Sequence, residues 1–96
     1  MNGAKLNETR LERAELSGAK LNGAELNNAT LNRAKLNKAV LIGAALNEVE
    51  LNGAELNRVV ANGATLKNAK LNGAEIKQAV LSRANFSGAE LNGAIL

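Results

Sequence analysis

An apolar residue, large in all but one case, stands at every fifth position of this chain, from Leu6 to Leu96, without one insertion. Sixteen of these 19 centres are Leu, and the others are Ala61, Ile76 and Phe86. Two residues before the centre stands Ala in 16 of the 19, the exceptions being Thr9, Val49 and Val59. All nine Gly fall at the second position after a centre, and Asn or Ser is usual directly after it. A period of five excludes a helix, because at about 100° per residue successive leucines wind around the cylinder and make no stripe. There is no heptad either, which excludes a coiled coil.

In extended chain the Ala and the Leu two residues later point to one side, and the following pair, often Asn-Gly, favours a bend. A chain of short extended pieces that always bends the same way becomes a solenoid, with coils about 4.8 Å apart. The number of sides follows from a second, longer period. Val stands before the centre at 40, 60 and 80, and Gly recurs at 3, 23, 43 and 63. Those 20-residue spacings are four pentapeptides, so each coil has four sides.

Interior volume supports that frame. Ala61 replaces a Leu and removes three carbons from its coil, while Val49 and Val59 replace Ala there and restore four. A close-packed interior demands such local balance. The expected core is narrow, continuous and dry, with no room for a ligand.

Composition narrows the chemistry. Without Cys or His, disulfides, Cys/His metal sites and His-based acid–base chemistry are excluded. Phe86 is the sole aromatic, which argues against base stacking and against an aromatic-lined ligand pocket. Twelve basic residues against nine Glu give a net charge of +3, too small by itself to imply nucleic acid. No apolar run approaches the ~18 residues of a membrane span, and MNGAKLNETR lacks the apolar stretch of a signal peptide. A cytoplasmic location is the default expectation. With 15 Asn in the chain, the Asn-x-Ser/Thr triplets at Asn7, Asn28 and Asn85 read as chance rather than glycosylation.

The frame resembles the pentapeptide-repeat family, whose pattern is A-(D/N)-L-x-x. Stretches such as Ala19-Lys20-Leu21-Asn22-Gly23 and Ala84-Asn85-Phe86-Ser87-Gly88 carry the likeness, which covers essentially the whole chain. The resemblance implies an all-β fold, a right-handed quadrilateral parallel β-helix, here of about five coils of 20 residues forming one domain over 1–96. Two departures stand out. Only Asn85 places the family's Asp or Asn before the centre, and Asn has moved to the position after it. No capping element or dimerising helix, both common in the family, is recognisable. A fragment of a larger repeat protein, or an engineered, idealised array, is the expectation that follows.

The surface offers three patterns. Asn residues stack in columns such as Asn32, Asn52, Asn72 and Asn92, which reads as amide ladders that satisfy one another. Glu15, Lys35 and Glu55 alternate down one side and Glu50, Lys70 and Glu90 down another, which reads as a solvated face of mixed sign, while the basic residues form no obvious stripe for phosphates. Val40, Val60 and Val80, with Ile42 beside Val40, make an apolar strip on an outward side. β-Branched residues suit a sheet surface in any case. Read functionally, these four residues are a protein-contact surface, for a partner or for self-association as a homodimer joined strip to strip.

Every inward position is apolar except Thr9, and no nucleophile–base pair or metal cluster emerges. The function expected is therefore a non-catalytic structural or protein-interaction scaffold, with no cofactor and no small-molecule substrate. The family supplies a second reading, since some members imitate duplex DNA and bind type II topoisomerases such as gyrase. Mimicry needs a strongly negative rod, and this chain is +3 with no Asp. Weak nucleic-acid binding through the modest positive charge is a third.

Overall fold

The computed structural model describes residues 2–96, which wind into a right-handed, four-sided parallel β-helix. Each pentapeptide contributes one side. The residue before each centre forms a single-residue parallel bridge to its counterpart twenty residues on, from Lys5–Glu25 through Glu75–Ile95. The chain spends its other residues on corners, so one bridge per side is all the sheet it makes.

Hydrogen bonding explains why five residues suffice for a side. The N–H of Leu31 donates to the carbonyl of Glu50 at 2.7 Å, that of Glu50 to Ala29 at 3.0 Å, and that of Gly53 to Asn72 at 2.9 Å. Within the corner, the N–H of Ala54 donates to the carbonyl of Leu51 at 3.1 Å. In the inner coils these four positions find backbone partners, three in the adjacent coils and one across the turn. The fifth N–H, directly after the centre, has none in the backbone and needs a side chain.

The third residue of every corner has a left-handed φ, from 58° at Gln78 to 74° at Gly18, as type II turns require. Gly supplies it in nine corners, and ten other residues, two of them Asn, adopt it in the rest. Gly88 has a second reason to be glycine, since a Cβ there would run into the side chain of Asn68.

The inward Ala and Leu residues from Leu21 to Ile76 form one continuous core, with Ala24, Ala54 and Leu71 at 0 % exposure. Against expectation, that core is not completely filled. A space of about 90 Å³, lined by apolar side chains alone, runs between leucines of successive coils. The walls are held apart by their own bonded ladders, so side chains with no more reach than Leu do not close the axis. An apolar cavity of this kind stays dry.

Three corners differ slightly from the rest. Where Ala follows the left-handed position and the bond forms, its N–H reaches the carbonyl of the preceding centre at 2.9–3.1 Å; Ala79 makes no such bond. At Val49 and Val59 that distance is 3.2 Å, and at Thr9 it is 3.3 Å. Among the described residues Thr9 is the one polar side chain at an inward position, and its hydroxyl donates to the carbonyl of Leu6 at 2.7 Å.

Candidate functional site

The fifth N–H shows what the relocated asparagines do. Asn52 donates its N–H to Oδ1 of Asn32 at 2.9 Å, Asn72 to Asn52 at 3.0 Å and Asn92 to Asn72 at 3.0 Å. The amides therefore do not pair with one another, as the column pattern suggested; each oxygen serves the backbone of the next coil, where a donor would otherwise be orphaned. Their Nδ2 groups turn to carboxylates, Asn32 to Glu50 at 3.1 Å and Asn37 to Glu55 at 2.8 Å. At Ser87 the same N–H is held locally by Oδ1 of Asn85, at 2.9 Å. So the Asn before the centre and the Asn after it are two solutions to one unsatisfied donor.

Asn57 combines both bonds, accepting from the N–H of Lys77 at 3.0 Å and donating to Glu75 at 3.2 Å. Replacing Asn57 with Ala leaves the Lys77 N–H without its acceptor. A loss of about 1–2 kcal/mol is expected in urea unfolding followed by circular dichroism. An unchanged midpoint would mean that water replaces the amide at no cost.

The mixed-sign columns lie where the sequence placed them, with Lys35 bridged to both Glu15 and Glu55, and Lys70 to both Glu50 and Glu90. The valines also stack, Lys20 to Val40 to Val60 to Val80. Val40 and Val60 are half-buried, whereas Val80 is 44 % exposed and Ile42, at the next corner, 42 %. Ile42 interrupts an Asn column, and below it Asn62 holds a buried Oδ1 that finds no hydrogen-bond partner among the described residues.

The coil frame also corrects the reading of the basic residues as scattered. Corner residues stack in the same register as the walls: the N–H of Lys38 donates to the carbonyl of Asn57, and that of Arg58 to Lys77. The valine wall and its two bounding corners therefore collect Lys20, Lys38, Arg58, Lys77 and Arg83, all exposed. No Glu belongs to that wall or to either corner. Every other wall, taken with its corners, carries both signs. Residues 20, 38, 58, 77 and 83 look dispersed along the chain because a wall is revisited only once in twenty residues. Glu55 and Glu75 reach the edge of this region from the adjoining wall, held by Asn37 and Asn57. Arg58 keeps most of its guanidinium free, with Nε donating to Gln78 at 3.0 Å.

Among the described residues no group of three or more carboxylates is placed to hold a metal ion. Nor is any helix long and apolar enough to cross a membrane. The molecule is only slightly elongated, with principal extents of 30 × 25 × 24 Å.

Comparison with known proteins agrees with this architecture. Among solved structures, a pentapeptide repeat protein from the Arabidopsis thaliana thylakoid lumen matches 93 % of this chain at 24 % identity and a TM-score of 0.57, over 66 % of its own length. Rfr23, a pentapeptide repeat protein of the cyanobacterium Cyanothece 51142, matches 97 % of this chain and 88 % of its own, at 23 % identity and a TM-score of 0.60. A trypsin-treated form of QnrB1, a plasmid-mediated fluoroquinolone resistance protein, matches 98 % of this chain and 66 % of its own, at 18 % identity and a TM-score of 0.65. At these identities the likeness is one of fold. No curated protein sequence matches the chain. The model of pentapeptide repeats matches residues 1–33, 24–60 and 62–96, in eight copies, and the chain belongs to the pentapeptide-repeat family.

Proposed function

We propose that this chain is a non-catalytic repeat scaffold that works through protein contact at the strip of Val40, Val60, Val80 and Ile42. The observation that carries the reading is Ile42, 42 % exposed at the corner beside the half-buried Val40 and Val60, on a surface fixed by backbone bonds. A preformed apolar surface loses little conformational freedom when a partner covers it, so little of its contact energy is spent on ordering. Catalysis has no comparable support: the interior is apolar, and the carboxylates at 50, 55, 75 and 90 are occupied with Asn amides at the surface.

DNA mimicry toward a topoisomerase fares worse. A mimic of a duplex presents negative charge along a rod, whereas this molecule carries +3 and is close to equidimensional.

A second copy of the chain serves as the probe of the strip. Absolute mass by light scattering after gel filtration is expected to give a monomer at about 0.05 M salt, where the cations around the strip repel. At about 1 M salt, with the Debye length near 3 Å, the mass is expected to rise toward a dimer with concentration, and Val60→Lys to abolish the rise. No association at high salt, or association indifferent to Val60→Lys, would remove the strip as a surface for self-association.

A further inference from the structure

We propose that the valine wall docks an acidic amphipathic helix of another protein, its aliphatic stripe on Val40, Val60 and Val80 and its carboxylates on the flanking cations. This rests on the reading of the strip as a contact surface and names its occupant. Two features of the wall, together, select that chemistry.

The first is charge. Five exposed cations and no anion belong to this wall and its corners, although the whole molecule carries nine Glu and a net charge of only +3. A second copy docked wall to wall would set five cations against five, so self-association is not the use to which low ionic strength suits this face. A partner bearing Asp and Glu gains where a second copy loses.

The second is the apolar centre and its dimension. Val40, Val60 and Val80 occupy three successive coils, so their column spans about 10 Å at the usual strand spacing. Aliphatic residues at i, i+4 and i+7 of a helix span about the same rise, which lets one helix lying along the column cover all three valines. Lys38 and Arg58 stand two residues before Val40 and Val60 in the same coils, which places them at the column's edge for carboxylates beside the stripe. A nucleic acid would satisfy the cations but leave the valines facing phosphates and sugars, with no aromatic side chain on the wall for its bases. A bilayer surface calls for large apolar side chains that reach past the headgroups, and valines held in a flat wall do not.

The probe is a synthetic helical peptide of about two heptads with Leu at i, i+4 and i+7 and Glu flanking them, titrated into the methyl-labelled protein. The Val40, Val60, Val80 and Ile42 methyl resonances are expected to shift, and the affinity to fall about tenfold or more between ~0.05 M and ~0.5 M salt. The double variant Lys38→Glu/Arg58→Glu is expected to lose about tenfold or more in affinity, while Lys70→Glu on the opposite wall retains it. Both changes are at exposed positions, and a circular-dichroism spectrum checks that the variants remain folded.

Methyls that do not move, or a Lys38→Glu/Arg58→Glu variant that binds as well as the parent, would overturn the proposal. So would displacement of the peptide from these methyls by duplex DNA or by vesicles of phosphatidylserine and phosphatidylcholine. The salt-induced dimer separates the two readings. If it forms and is abolished by Val60→Lys while the peptide fails, the strip stands and the acidic occupant falls; if neither forms, the strip falls as well.

Discussion

Leu51→Ala is expected to lower stability by about 2–5 kcal/mol, toward the upper part of that range. Leu51 is 1 % exposed in the middle of the solenoid, with coils bonded to it on both sides. The usual relief for such a truncation is collapse of neighbours into the hole. Here the walls cannot move inward, because the ladders fix their separation, and the axis already holds about 90 Å³ of unfilled space. Deleting three carbons therefore enlarges a void that nothing can reach to fill. Leu91→Ala is the control: Leu91 is 37 % exposed, and its loss is expected to cost about 1.5 kcal/mol or less. In a solenoid the central unit also supports two interfaces and a terminal unit one, which widens the contrast. Thermal or urea unfolding followed by circular dichroism measures both. At this size a loss of 3 kcal/mol corresponds to a fall in Tm of roughly 12–24 °C. Equal losses at the two sites would show that the coils unfold independently rather than as one unit.

The architecture was legible because the same two periods govern everything inside. Five residues set one side and twenty set one coil, and neither depends on any distant contact that a sequence hides. The bridges from Lys5–Glu25 to Glu75–Ile95 follow that register without exception. What escaped the reading lay in backbone accounting and in the corners. Asn52 and Asn72 stand in a column whichever atoms they bond, so spacing alone could not say that their oxygens serve the backbone N–H of the next coil. Counting the donors of one pentapeptide would have found it, since four are used by the ladder and turn and one is left over. Lys38, Arg58 and Lys77 were missed as a group for a different reason: they belong to corners, and only folding the corner positions modulo twenty beside Lys20 brings them to one wall. The unfilled axis was not legible at all, because it depends on wall separation and not on any residue's identity.

The second large effect is a compensation rather than a loss. Ala61→Leu alone is expected to destabilise by about 1–3 kcal/mol, although it restores the residue that the other Leu-bearing centres carry. The coil around Ala61 has already spent its volume elsewhere: Val49 and Val59 are 0 % and 2 % exposed where Ala stands in nearly all other repeats. Their turn bonds are 3.2 Å long, against 2.9–3.1 Å at the bonded Ala corners. On that balance, three further carbons overfill the coil. Val59→Ala in the same molecule removes two carbons from that coil, so the double variant is expected to recover most of the loss. A coupling of about 1 kcal/mol or more in the double-mutant cycle is the quantity to measure. The rival outcome is equally sharp. If the empty axial space, which both Val59 and Ala61 line, can accept the new side chain, Ala61→Leu alone will raise stability. The alanine would then be a hole left open rather than a counterweight, and the volume balance written along the sequence would be coincidence.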